Sequence, residues 1–218
     1  MRSDKLEQRA EEIIDSAAEL VLPKFVSGNR LDALREREAL LIPWLDLYLC
    51  FYLPFPEAST QEKNASILVT KPLFERIGLS CEELLARAVQ NLSRQTLLMP
   101  LWEILASFAP FNGDLAEFAE ETDPAFPVWF VSNRDKAFGA AAILCDDVRE
   151  RLSGLLGSNY LILPSSVHEV LCVSEEDASS AGTFSDMVRE INSMCVEPDD
   201  QLSDHVYYCR DGVISCAV

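Results

Sequence analysis

Glycine and histidine are scarce in this chain, eight and two among 218 residues. No phosphate loop, EF-hand loop or H-E-x-x-H stretch is present, so nucleotide cradling is not expected. No C-x-x-C occurs either, and two histidines leave a zinc site little to draw on, so neither a metal nor a cofactor is expected. The seven cysteines are odd in number and widely spaced, and most lie inside apolar runs. That pattern reads as buried, reduced thiols in a cytoplasmic protein.

Basic residues are also few, 18 against 36 acidic ones, for a net charge of -18. Beyond Ser174 the acids are opposed by Arg189 and Arg210 alone. Such a surface is repelled by nucleic-acid phosphates and anionic lipid, which excludes direct nucleic-acid binding and makes a basic protein the fitting partner. A long hydrophobic run is missing as well. The longest, Leu40 to Phe55, is broken by Pro43, Asp46 and Pro54, so no membrane span is expected. The opening M-R-S-D-K-L-E-Q-R-A-E-E has no apolar core of a secretory signal.

What is present is ordinary globular material, about half apolar and a quarter charged. Leu6, Ala10, Ile13, Ile14, Ala17, Ala18 and Val21 recur at helical spacing, which predicts a helix over Ser3–Leu22 that Pro23 ends. A second helix is expected over Arg30–Leu40. Trp44–Phe55 and Ala65–Thr70 read as a strand pair. Ser80 and Glu83 form a capping box ahead of Leu84, Leu85, Ala88 and Leu92. Met99–Phe108 reads as a helix with Pro100 in its first turn. Pro110–Pro127 reads as a linker or surface excursion.

The pattern then restarts. Val128–Val131 and Gly139–Leu144 read as strands, and Asp146–Leu156 as a helix closed by Gly157. Tyr160–Leu163 and Val170–Val173 form a hairpin. Glu175–Gly182 is an acidic loop and Phe184–Cys195 a helix. Asp211-Gly212 joins a last hairpin, His205–Cys209 with Val213–Cys216. The expectation is an α+β fold in which antiparallel hairpins alternate with helices. Its parts are a helical N-terminal segment over 1–42, a hairpin with helices over 43–109, the excursion over 110–127, and hairpin–helix–hairpin–helix–hairpin over 128–218. The last part is expected to be compact with 43–109.

Ala65–Asn91, Gly139–Val148, Tyr160–Val170 and Leu202–Tyr208, with Val131–Asn133, resemble an uncharacterised bacterial family carried as a domain of unknown function. The resemblance runs from about Trp44 to Tyr208 and is most specific in I-L-P-S-S-V-H-E. It implies a cytoplasmic bacterial protein and transfers no catalytic residues.

The densest cluster of reactive side chains is P-S-S-V-H-E, holding Ser165, Ser166, His168 and Glu169. Strand alternation puts Ser166 and His168 on one face, with Ser165 and Glu169 on the other unless a bulge re-aims the acid. A serine hydrolase needs its histidine within reach of the hydroxyl and held by a carboxylate. No G-x-S-x-G elbow accompanies the cluster. Near strand ends, Asn133 holds a turn and Asp204 caps the His205 strand, or both converge on His168 as a polar binding pocket. The favoured reading is a non-enzymatic interaction or regulatory protein. The alternative is a small hydrolase or ligand-binding enzyme centred on Ser166, His168 and Glu169. The cysteine pattern sets the first test: thiol titration of the denatured, unreduced protein should recover all seven thiols, and markedly fewer would refute the reduced state.

Overall fold

The structure is a computed structural model describing residues 2–59, 65–108, 128–164, 166–175 and 196–216. The Pro110–Pro127 excursion, the Phe184–Cys195 helix, nearly all of the Glu175–Gly182 loop, and Ser165 lie outside the described residues. The chain forms two compact units, Met1–Gln95 and Thr96–Val218, each with its own antiparallel sheet. The fold is α+β, as the alternation of hairpins and helices predicts. Among the described residues, no helix is long and apolar enough to cross a membrane.

In the first unit α1 (Arg2–Asp15) and α2 (Ala17–Leu20) lead into β1 (Leu22–Val26). This strand is not legible in the sequence, because its five residues include Pro23 and Lys24 and follow directly on a helical pattern. β1 lies antiparallel to β3 (Leu47–Pro54), with Leu22 opposite Tyr52 and Val26 opposite Tyr48. α3 (Leu31–Glu36) follows β1. β2 (Ile42–Trp44) and β4 (Ser66–Leu68) also pair with β3, so the expected strand over Trp44–Phe55 is two strands around a turn at Leu45 and Asp46.

β3 is apolar along almost its whole length because both its faces are covered. Phe51 and Leu53 join Ile13, Ala17, Leu84 and Ala88 on one side, while Cys50 joins Val26 and Leu34 on the other. Burial pushes the Cys50 thiol up to about 11, so it stays protonated near neutral pH. α4 (Lys71–Ile77) ends at Gly78, whose φ of 75° is left-handed. α5 (Cys81–Ser93) begins with the expected capping box. Glu83 N–H donates to Ser80 Oγ at 3.2 Å, and Ser80 N–H donates to Glu83 Oε2 at 2.8 Å.

The second unit carries a six-stranded sheet in the order β10-β9-β7-β8-β6-β5. Its first strand, β5 (Thr96–Pro100), corrects the reading of Met99 and Pro100 as helical. α6 (Leu101–Phe108) starts only after Pro100. β6 (Trp129–Asn133) lies between β5 and β8. Gly139–Leu144 is a 3-10 segment, not a strand. α7 (Asp146–Leu156) buries Val148, Leu152 and Leu156, and Arg149 reaches back to the carbonyls of Ile143 and Leu144 at 3.0 and 2.7 Å.

β7 (Asn159–Leu163) and β8 (Val170–Ser174) form the expected hairpin, and β9 (Tyr207–Arg210) pairs with the other edge of β7. β10 (Val213–Cys216) follows β9 through Asp211 and Gly212, both at positive φ, as a tight hairpin requires.

Tyr160, fully buried on β7, stands opposite Cys209 on β9. Its hydroxyl lies beside the Cys209 sulfur, a weak partner, and makes no conventional hydrogen bond among the described residues. A buried hydroxyl without a good partner costs free energy that an isosteric ring does not. Tyr160→Phe should therefore leave stability unchanged or raise it by up to about 1 kcal/mol in urea melts. A loss above about 2 kcal/mol would show that the hydroxyl is properly bonded.

Candidate functional site

The connection from Pro164 to Glu169 runs through a buried part of the second unit, and its polar groups are matched from several sides. Asp200 O accepts from Val167 N–H at 2.8 Å, and Val167 O accepts from Ala140 N–H at 3.3 Å. Pro164 O accepts from Ser203 N–H at 3.3 Å, and Ser166 bridges to Gln201. His168 O accepts from the Ser132 hydroxyl at 2.7 Å. The connection is therefore stitched to the end of β6, to the 3-10 segment and to residues 200–203. It does not stand out as a hairpin tip.

His168 is the centre of this stitching. Its Nδ1 accepts from Phe138 N–H at 3.2 Å, and its Nε2 faces Asp200 Oδ2 at 3.4 Å. An accepting Nδ1 carries no proton, so the neutral ring carries its proton on Nε2, toward the carboxylate. The Phe138 ring stacks on the imidazole with centroids 5.6 Å apart and planes 17° from parallel. Phe138 itself has φ of 58°, a left-handed conformation rare for a residue with a large side chain.

Ser166 is buried. Its Oγ accepts from His168 N–H at 2.9 Å and its hydroxyl donates to the Glu169 carboxylate. Alternation had placed Glu169 on the opposite face, but the connection is not extended, and the turn brings the acid back to Ser166. Burial pushes the Glu169 carboxyl up, against the opposing pull of the Ser166 hydrogen bond and of His168. Asn133 holds a turn. Its Nδ2 donates to Ala137 O at 2.8 Å and its Oδ1 accepts from Ala137 N–H at 3.1 Å. The carboxylate at His168 is Asp200 and not Asp204, which is exposed. Asp200 was missed because it sits in the acidic run E-P-D-D, which carries no local sign of a partner 32 positions earlier.

A hydrolase histidine must present one nitrogen to the serine hydroxyl and the other to its carboxylate. Here one nitrogen is held by a backbone amide and the other faces Asp200, while the Ser166 hydroxyl is spent on His168 N–H and Glu169. The nearby thiols are quiet as well, since burial pushes Cys145 up to about 12 and also raises Cys172. Surface grooves lie at Gly157–Asn159 beside the Arg210–Glu175 ion pair and on α5 around Glu83 and Arg87. Neither is lined by Ser166, His168 or Glu169. Among the described residues, no group of three His, Cys, Asp or Glu side chains is placed to hold a metal ion.

Gly139 makes the close approach possible. A Cβ there would overlap Ser132 Oγ and Asn133 N and lie 2.8 Å from His168 O. Gly139→Ala should therefore cost about 2–4 kcal/mol, by overpacking and by breaking the Ser132–His168 bond. Urea melts of Gly139→Ala beside Gly154→Ala, whose Cβ meets nothing within 4 Å, would check this. Equal losses in the two variants would mean that the approach is not tight.

No curated protein and no solved structure matches the chain. Residues 32–210 match the model of a family described as a family of unknown function (DUF5688), a span that holds the whole His168 cluster. By that match over most of its length, the chain belongs to the family of unknown function DUF5688.

Proposed function

We propose that this protein works by binding, as a cytoplasmic interaction or regulatory protein whose acidic surface docks on a basic protein, and that its Ser166–His168–Glu169 cluster carries no turnover. The observation that carries the reading is the engagement of His168. Nδ1 is occupied by the Phe138 amide and Nε2 faces Asp200, so no imidazole nitrogen is left to take a proton from Ser166. The net charge of -18 supports the choice of partner, since it attracts basic surfaces and repels phosphate backbones and anionic lipid. Contacts of this kind weaken as salt shortens the reach of charge from about 10 Å at 0.1 M to about 3 Å at 1 M.

The test has two arms. The protein immobilised at about 0.1 M salt should capture a basic protein from its host's extract and release it at about 1 M. In parallel, the purified protein is assayed against ester and peptide substrates. His168→Ala should lower stability by about 0.5–3 kcal/mol and Ser166→Ala by less, with no activity to lose. Capture of nucleic acid would overturn the partner. Hydrolysis that vanished in Ser166→Ala with an unchanged melting curve would overturn the whole reading in favour of the hydrolase.

A further inference from the structure

The groove at Gly157–Asn159 opens where α7 runs out and β7 begins, and Leu156 is its apolar wall. The last turn of α7 holds no basic residue. Its arginines, Arg149 and Arg151, stand five or more residues before its end, and Arg149 is tied to the Ile143 and Leu144 carbonyls. Gly157 N–H donates to Ser153 O at 3.1 Å, which leaves the carbonyls of Gly154, Leu155 and Leu156 without a hydrogen bond among the described residues. A helix end of this kind carries the equivalent of about half a negative charge. The helix's own side chains do not answer it.

The rest of the lining adds acceptors. The backbone carbonyls of Ser158 and Asn159 are spent on Asp211 N–H and Glu175 N–H. The Ser158 hydroxyl and the Asn159 carboxamide are exposed and make no hydrogen bond among the described residues. Arg210 Nη2 donates to Glu175 Oε1 at 2.5 Å and Nε to Oε2 at 3.3 Å, a fork that cancels one charge against the other. The same guanidinium lies over the Tyr208 ring, 4.1 Å from its centroid, and is therefore held on two sides. Two of the roughly four lone-pair sites of the Glu175 carboxylate are left open. With the ion pair balanced, the charge that remains is the helix end and the exposed Asp211 beside Arg210 in the chain. That balance favours a cation.

A metal ion fits poorly, because one carboxylate lines the groove and the other acceptors are neutral. A planar cation with several N–H donors fits a spread of neutral acceptors better. The groove volume of about 570 Å³ also has room for an aliphatic stem against Leu156.

We infer that this groove seats an arginine side chain of the basic partner: its guanidinium bonds Glu175, Asn159 and Ser158 at the end of α7, and its stem lies along Leu156. The inference rests on the proposed reading for the partner's charge and adds the place where one of its side chains goes. Arg210 sets the strength of the seat. It holds the Glu175 carboxylate in position and, by sharing it, weakens the pull on the incoming cation.

The full chain, labelled with nitrogen-15, is titrated by NMR with N-acetylarginine methylamide, whose only charge is the guanidinium. At about 0.05 M salt the amides of Gly157, Ser158, Asn159 and Glu175 should shift saturably, with a Kd on the order of 1 mM. The citrulline analogue, of the same shape but uncharged, should bind about threefold more weakly. Glu175→Gln should weaken arginine binding by a similar factor. Arg210→Gln frees the carboxylate and should tighten it. Both variants alter an exposed ion pair of a kind that contributes little to folding.

Equal binding of the citrulline compound would overturn the seat, as would shifts that avoid residues 157–159. Weaker arginine binding by Arg210→Gln would overturn it too. Where a variant does not fold, the comparison of arginine with citrulline on the parent chain decides. A failed titration beside salt-released capture of a basic protein removes the seat and leaves the proposed function standing. A saturable titration beside failed capture keeps the guanidinium site and removes the basic partner.

Discussion

The second unit depends on satisfying the backbone of an irregular segment away from solvent. The connection from Pro164 to Glu169 cannot join the sheet ladder, yet Val167 is only 2% exposed and Ser166 4%. Unpaired amides and carbonyls at such depth cost about 1–3 kcal/mol each. The chain brings two remote segments alongside to meet them. Residues 139–140 come from the sheet's β6 side, and residues 200–203 come from the approach to β9. Gly139 fits here because the carbonyl of His168 and the end of β6 leave no room for a Cβ. The 3-10 form of Gly139–Leu144 belongs to the same constraint. A strand would add to the sheet, whereas the compact turn lays small alanines against its face and leads directly into α7.

The first unit obeys a simpler rule. Its sheet is built around β3, whose two faces are each closed by an apolar cluster, and the hydrophobic effect alone makes that strand central. Asn91, buried on α5, donates to the carbonyls of Ala18 and Val21 at 3.3 and 3.0 Å, where α2 runs out and its carbonyls lack helical partners. On the surface, Arg76 pairs with Glu11 and Asp15, and such exposed pairs contribute little.

The elements legible in the sequence are those whose cause is local. The capping box of Ser80 and Glu83, the positive-φ Gly157 after α7 and the Asp211-Gly212 turn each act within a few residues, and each stands where the pattern predicts. The elements that were not legible have distant causes. β1 and β5 are strands because β3 and β6 offer them edges, and neither Leu22–Val26 nor Thr96–Pro100 alternates in a way that says so. Gly139–Leu144 has the composition of a buried strand, and only the crowding at Ser132 and His168 turns it into a 3-10 segment. The cluster around His168 shows the same division. Ser166, His168 and Glu169 are adjacent in sequence and do meet, while Asp200 and the Phe138 amide reach the ring only through the fold.

That division also explains why a histidine stands at 168. The position joins three segments at once and needs an acceptor on one side, a donor on the other and a flat apolar face between them. Asparagine could offer the acceptor but lacks the reach and the ring for Asp200 and Phe138. Phenylalanine could stack but would leave the Phe138 amide and the Asp200 carboxylate unmatched. Imidazole alone meets all three demands with one side chain. The features that make a histidine look catalytic in sequence, a polar turn with serines and an acid nearby, are the same features that a buried crossing of segments requires. The two cases part at the ring nitrogens. A catalytic ring keeps one of them for the substrate's proton, and in the neutral state His168 has committed both to holding the fold.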